Sequence, residues 1–200
     1  GEFAMSGVSS NYKNTVKGLK RLVGLSFDDP RAKREMESLP VECVPIQHSS
    51  GPASIGVKIQ LAGEEKILPM EAVCGMMIRH MGEIVAKKSQ QSDQSGLPID
   101  KLMPQDWVIA IPNYFTDAQR RALLASCEIV GITGVQRLMH ENTATALAYG
   151  IFKDLRKEFT KEAPANVMFI DMGASAYTVS IVTFEPGKLI VKSAYCDPDL

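Results

Sequence analysis

With 200 residues, 45% of them hydrophobic and 22% charged, the chain can bury one large core or two small ones. Its 22 basic and 23 acidic residues leave a formal net charge of −1, which offers no general attraction to nucleic acid or to an anionic membrane. No apolar run approaches the length of a bilayer span, and no signal-peptide pattern opens the sequence.

Gly1-Glu2-Phe3-Ala4-Met5 reads as a cloning remnant and is set aside from the fold. Asn14 or Thr15 is expected to cap a short helix with Val16, Leu19 and Leu22 on one side, and Lys20 and Arg21 beside that stripe read as a solvated face. Asp29-Pro30 predicts the cap and first residue of a second helix running to about Ser38. Residues 41–68 read as a β-meander: Ile55, Val57, Ile59 and Leu61 alternate strictly, and Ala62-Gly63-Glu64-Glu65 turns into Lys66-Ile67-Leu68. Pro69 falls at the expected start of a long helix to about Lys88, whose stripe is Met70, Val73, Cys74, Met77, Met81, Ile84 and Val85. Such a methionine stripe suits either an adaptable groove or core packing, and core packing is the expectation. Ser89–Gly96 is polar and low in complexity and reads as a mobile loop.

A strand over Trp107–Ile111 stops at Pro112-Asn113, and Thr116-Asp117-Ala118-Gln119 matches a capping box. The helix it opens carries Leu123, Cys127 and Val130 on one face and should end at Gly131. Val135–Met139 reads as a strand, and Thr143–Tyr149 as an alanine-rich helix with Gly150 as its stop. The four cysteines, Cys43, Cys74, Cys127 and Cys196, are widely spaced with no C-x-x-C pair. They indicate neither a zinc site nor a disulfide framework, read as buried small hydrophobes, and fit a reducing cytosol or nucleus.

The chemistry concentrates between Asn166 and Ser180. Val167–Ile170 is an apolar strand ending in Asp171 and Gly173, Gly173-Ala174-Ser175-Ala176 is a turn of small residues, and Tyr177, Val179 and Ile181 alternate with Thr178 and Ser180 in a return strand. Backbone N–H groups of such a turn can cradle phosphate oxygens, and a carboxylate at its mouth can hold a cation with its waters. The plainer reading is a β-hairpin whose aspartate braces its own turn. Glu185-Pro186-Gly187-Lys188 fits a type II turn into a third strand over Leu189–Val191. The order of elements, with a βαβα unit in the middle, makes the class α/β with a parallel pair. A helix with no preceding strand and a closing hairpin with no further partner give the expectation that the chain is cut from something larger.

Four ordered motifs then carry a resemblance over residues 14–180. Asn14-Thr15-Val16, Lys20-Arg21-Leu22-Val23-Gly24 and Phe27-Asp28-Asp29-Pro30 are similar to a segment of the nucleotide-binding domain of the 70-kDa heat-shock chaperones. Ile111-Pro112-Asn113-Tyr114-Phe115-Thr116-Asp117-Ala118-Gln119-Arg120 resembles that family's V-P-A-Y-F-N-D-S-Q-R. His140-Glu141-Asn142-Thr143-Ala144 through Ala148-Tyr149-Gly150 resembles N-E-P-T-A-A-A-I-A-Y-G, and Asp171–Thr178 stands in the place of the phosphate loop D-L-G-G-G-T-F-D.

The resemblance implies part of an actin-like ATPase fold. Residues 6–152 would be a portion of the first lobe, with residues 41–106 an inserted subdomain, and residues 153–200 a linker with the first strands of the second lobe. It places the phosphate-contacting lysine on Lys20, the glutamate near metal and attacking water on Glu141, and the aspartate that holds hydrated magnesium on Asp171. Gly173, Ala174, Ser175 and Ala176 fall on the nucleotide loop, and Pro112 and Arg120 on the pair that couples nucleotide state to substrate release. The implied cofactor is ATP or ADP with magnesium in a full-length parent, and is not expected on this chain alone.

Departures from the pattern redirect the functional expectation. Two loop glycines are Ala174 and Ser175, the loop threonine is Ala176, the proline after the glutamate is Asn142, and the last loop aspartate is Thr178. A threonine hydroxyl is no general base at neutral pH and brings no negative charge to magnesium. These changes are most like the 110-kDa branch, whose members act as nucleotide exchange factors for 70-kDa chaperones and as holdases for unfolded polypeptides. The alternative is an ATP-hydrolysing 70-kDa-type chaperone, for which Glu141 is retained. An open hairpin edge over Tyr177–Val191 adds an expectation of non-native self-association.

Overall fold

The computed structural model describes residues 6–92 and 96–199; the expected cloning remnant lies outside them. Two compact units are formed, one from the chain up to Asp106 with Thr116–Val135, the other from Trp107–Phe115 with the chain from Gln136 onward.

In the first unit the start differs from expectation. Tyr12–Asn14 is a single 3-10 turn, and α1 (Leu19–Leu22) begins only after Gly18 in the left-handed region. Asn14 is drawn away from capping because its side-chain amide pairs with the backbone of Gln60, accepting from its N–H at 2.8 Å and donating to its carbonyl at 3.0 Å. In α2 (Pro30–Glu37) the Asp29 side chain accepts from the Arg31 N–H, as an N-cap should. Burial pushes the Asp29 pKa upward, but hydrogen bonds from the Arg31 backbone and side chain, its charge and the Ala32 N–H outweigh that and lower it.

Strands β1 (Glu42–Ile46), β2 (Ser54–Leu61) and β3 (Glu64–Pro69) form an antiparallel meander in that order. Helix α3 (Met70–Ser92) follows without a break. It runs past Lys88, so Ser89–Ser92 is helical rather than loop, with the Ser92 hydroxyl bonded back to the Ser89 carbonyl at 2.9 Å; residues 93–95 of the expected loop lie outside the described residues. The buried line of α3 is Met70, Cys74, Ile78, Gly82 and Ala86 with Gly75. Met77, Met81, Ile84 and Val85 stay 47–52% exposed, which overturns core packing for that part of the stripe. Small residues on the buried line decide the matter, because they let α3 approach α5 (Asp117–Ile129) closely.

A Cβ built on Gly75 would lie 2.2 Å from the Ser126 carbonyl oxygen, a backbone atom that cannot rotate aside. Gly75→Ala is therefore expected to destabilise by about 1–2 kcal/mol, overpacking of about 1–3 exceeding a helix-propensity gain near 1. A denaturant midpoint that rises instead would count against this packing. Ahead of α5 lies α4 (Ile99–Leu102), a turn of helix without a sequence signal. The Thr116–Gln119 capping box of α5 forms as expected. Of the four cysteines, all free, Cys74 and Cys127 are buried while Cys43 and Cys196 are only half-buried. Burial pushes the Cys74 thiol up to about 11 and raises Cys43 and Cys127 as well.

The second unit contains β4 (Trp107–Ile111) paired with β5 (Val135–His140), then α6 (Glu141–Leu155) and an antiparallel sheet ordered β6 (Ala165–Met172), β7 (Tyr177–Glu185), β8 (Lys188–Asp197). Gly150 does not stop α6. It sits mid-helix because Phe184 needs the space, and an added Cβ would lie 2.5 Å from that ring. Ala146, Phe159, Val182 and Phe184 form the core here, with Phe159 stacked on Phe184 at 5.2 Å between centroids. Pro186-Gly187 closes the last hairpin, and the Gly187 N–H donates to the Asp154 carboxylate at 3.1 Å, tying the end of α6 to the sheet. The opposite sheet face is bare: Met168, Ile170 and Met172 are 58%, 62% and 74% exposed.

Candidate functional site

Strand β5 passes directly into α6, His140 serving as an extended N-cap whose side chain makes no capping hydrogen bond. That junction delivers Glu141 and Asn142 on the first helical turn, where exposed N–H groups and the helix dipole favour negative charge. Across from it, the hairpin register sets Asp171 directly opposite Thr178, Phe169 opposite Ser180 and Val167 opposite Val182. Because opposed residues share a face, one side of the hairpin grades from the apolar Val167–Val182 pair to the polar Asp171–Thr178 pair. The apolar end meets α6, where Tyr149 contacts Phe169 edge to face at 5.5 Å.

At the polar end Glu141, Asn142, Thr145, Phe169, Asp171, Thr178 and Ser180 enclose a pocket of about 20 Å³. Three of the residues expected from the sequence, Glu141, Asp171 and Thr178, thus come together. Two carboxylates and three hydroxyls make it a hard, oxygen-rich site. Among the described residues, no group of three or more His, Cys, Asp or Glu is placed to hold a bare metal ion. Such a donor set suits a hydrated magnesium whose remaining ligands are water and phosphate. The Thr178 hydroxyl lies 3.8 Å from the Cys196 thiol on β8.

Gly173–Ala176 forms the turn between β6 and β7, closed by a hydrogen bond from the Gly173 N–H to the Ala176 carbonyl at 3.0 Å. That amide is therefore used inside the turn. An added Cβ on Gly173 would make only an ordinary 3.4 Å contact with the Ala176 oxygen, so the turn itself does not require glycine. Lys20 is exposed on α1 and Arg120 half-buried on α5, both in the first unit. Pro112, buried just after β4 and accepting from the Phe115 N–H at 3.2 Å, belongs to the second.

Thr145 and Ser180 were not singled out as site residues from the sequence, yet both were within its reach. Ser180 is two residues from Thr178 on the same strand face, and Thr145 is one helical turn beyond Glu141.

A model of the family described as "Hsp70 protein" matches residues 1–200. The chain is 40% identical over 201 residues to "Heat shock 70 kDa protein 4L" of Homo sapiens, covering 100% of this chain and 22% of that protein. It is 38% identical over 197 residues to "Heat shock protein 110" of Caenorhabditis elegans, covering 98% of this chain and 23% of that one. With "Heat shock protein hsp88" of Neurospora crassa it shares 36% over 197 residues, again 98% of this chain and 25% of the relative. The chain thus spans between a fifth and a quarter of these relatives, and it belongs to the Hsp70 family as a fragment of its actin-like ATPase domain.

Proposed function

We propose that the whole protein is an ATP-binding co-chaperone of the cytoplasm, a nucleotide exchange factor for a 70-kDa heat-shock chaperone and a holdase for unfolded polypeptides, with weak ATP hydrolysis of its own. The observation that carries this reading is Thr178. It faces Asp171 across the hairpin in the pocket shared with Glu141, and brings neither a base nor a charge where the family pattern has a carboxylate. The relative named heat shock protein 110 supports the branch.

Family membership carries ATP or ADP with magnesium to the full-length protein. In our reading Asp171 and Glu141 orient the waters of magnesium, Lys20 contacts phosphate, and the Gly173–Ala176 turn is approached by the nucleotide. Gly173, unneeded by the turn itself, supports a close ligand approach there. When bound, magnesium would offset phosphate charge; the chain's own contribution is to position it. We assign coupling between nucleotide state and substrate release to Pro112 and Arg120. A second reading, an ATP-hydrolysing 70-kDa-type chaperone, is favoured by Glu141 in the pocket.

Release of labelled ADP from a 70-kDa chaperone, followed with and without the whole protein, tests the proposal. Acceleration that requires ATP but not its cleavage supports exchange; rapid turnover without acceleration supports the second reading. For the 200-residue chain alone, the bare face of β6 adjoins a strand edge with no pairing partner among the described residues. Self-association is the expected result. A mass by light scattering that stays monomeric on concentration, with the edge amides of β6 and β8 protected, would contradict it.

A further inference from the structure

Two polar groups at the base of the pocket are buried without a protein partner. Asn142 is 8% exposed and Ser180 1% exposed, and neither the Asn142 Nδ2 nor the Ser180 Oγ makes a hydrogen bond to the protein. An unsatisfied buried donor is costly, and native proteins resolve it with a protein group or an ordered water. Both residues line the same cavity of about 20 Å³, together with the Asp171 and Glu141 carboxylates and the Thr178 hydroxyl. A single water needs about 10–15 Å³ by the same measure, and two to four polar partners. A volume of about 20 Å³ is the room one water takes up between the first turn of α6 and β7.

We propose that Asn142 and Ser180 hold one ordered water at this position, bridging the first turn of α6 to β7. The chemistry of the lining selects water over other small species. Nδ2 is a donor only, so the guest must accept, which excludes ammonium and disfavours a bare cation. The nearby carboxylates accept only, so the guest must also donate, which excludes a simple anion. Water does both: it accepts from the Asn142 amide and donates toward the carboxylate-lined side, while the Ser180 hydroxyl serves either role. Asn142 is thereby a positioning residue. It stands next to Glu141 on the same helical turn, and its water ties that turn to the strand that carries Thr178. No nucleotide is needed for this, so the inference stands or falls apart from the exchange-factor reading.

High-resolution crystallography of the nucleotide-free protein is the direct test. A density peak within hydrogen-bonding distance of both Asn142 Nδ2 and Ser180 Oγ is expected, absent in Ser180→Ala and in Asn142→Leu, which keeps the volume and removes the donor. A dry pocket, or the two side chains rotated into a direct bond, would overturn the proposal. Thermal unfolding of the two single variants and the double variant gives an independent reading. If both groups hold one water, the loss in Tm for the double variant is close to the larger single loss. Additive losses would mean separate roles and would also overturn it. Should a variant fail to fold, water-to-amide magnetisation transfer to the α6 and β7 amides of the unmodified protein decides alone: long-lived transfer supports the bridge, its absence refutes it.

Discussion

Thr178→Asp is expected to raise single-turnover ATP hydrolysis in the whole protein by about 10²-fold, the low end of the 10²–10⁴ for a placed general base and equivalent to about 3 kcal/mol at the barrier. The low end follows from Ala174, Ser175 and Ala176, which still leave the turn unlike the family's glycine-rich loop. Register supplies a second consequence. Thr178 is paired directly with Asp171, so the new carboxylate stands opposite an existing one, and like charges facing across a ladder cost roughly 0.2–1 kcal/mol. The variant should therefore unfold at a lower temperature than the wild type without magnesium, and regain the difference when magnesium-ATP is added. Exchange on a 70-kDa partner should stay nearly unchanged. A wild-type protein that already hydrolyses ATP at the pace of its 70-kDa relatives would remove the main support for the exchange-factor reading.

Local signals in the sequence were reliable wherever backbone chemistry decided the outcome. Asp29-Pro30 and the Thr116–Gln119 box start helices as expected, because a side-chain oxygen satisfies amides that the helix cannot. Strand alternation and the Ala62-Gly63 and Pro186-Gly187 turns produced both antiparallel sheets. Misreadings arose where tertiary contacts outweighed local preference. Gly150 reads as a stop, yet its missing side chain makes room for Phe184 from a strand more than thirty residues away. Asn14 reads as a cap, yet β2 takes its amide. On α3, hydrophobic periodicity found an apolar stripe but not the face that packs, since glycine and alanine add little to a hydrophobicity pattern while permitting the closest approach.

The candidate site was legible in its charged members and obscure in its neutral ones. Glu141, Asp171 and Thr178 could be named from motif positions; the hairpin register sets Asp171 against Thr178, and the packing of α6 on the sheet brings Glu141 to them. Asn142 was visible only as a departure from a pattern. Its burial beside Ser180 depends on how the first turn of α6 sits on β7, a relation no single stretch of sequence encodes.

Asp171→Ala should lower the affinity of the whole protein for magnesium-ATP by about 10–100-fold, the range for groups that orient a metal's outer shell. Lys20→Ala should weaken ATP binding as well, through lost phosphate attraction that fades as salt rises. The two substitutions can be separated by varying magnesium at fixed ionic strength. Loss at Asp171 should be partly recovered by excess magnesium, because its role passes through the ion, whereas loss at Lys20 should not. Under the proposed exchange role, exchange activity should fall in step with ATP occupancy for both, because that role rests on bound nucleotide rather than on its cleavage. Isothermal titration gives the affinities, and ADP release from a 70-kDa chaperone gives the exchange rate. Exchange that stays at wild-type pace when ATP no longer binds would disconnect the two, and would move the exchange-competent surface away from the nucleotide site altogether.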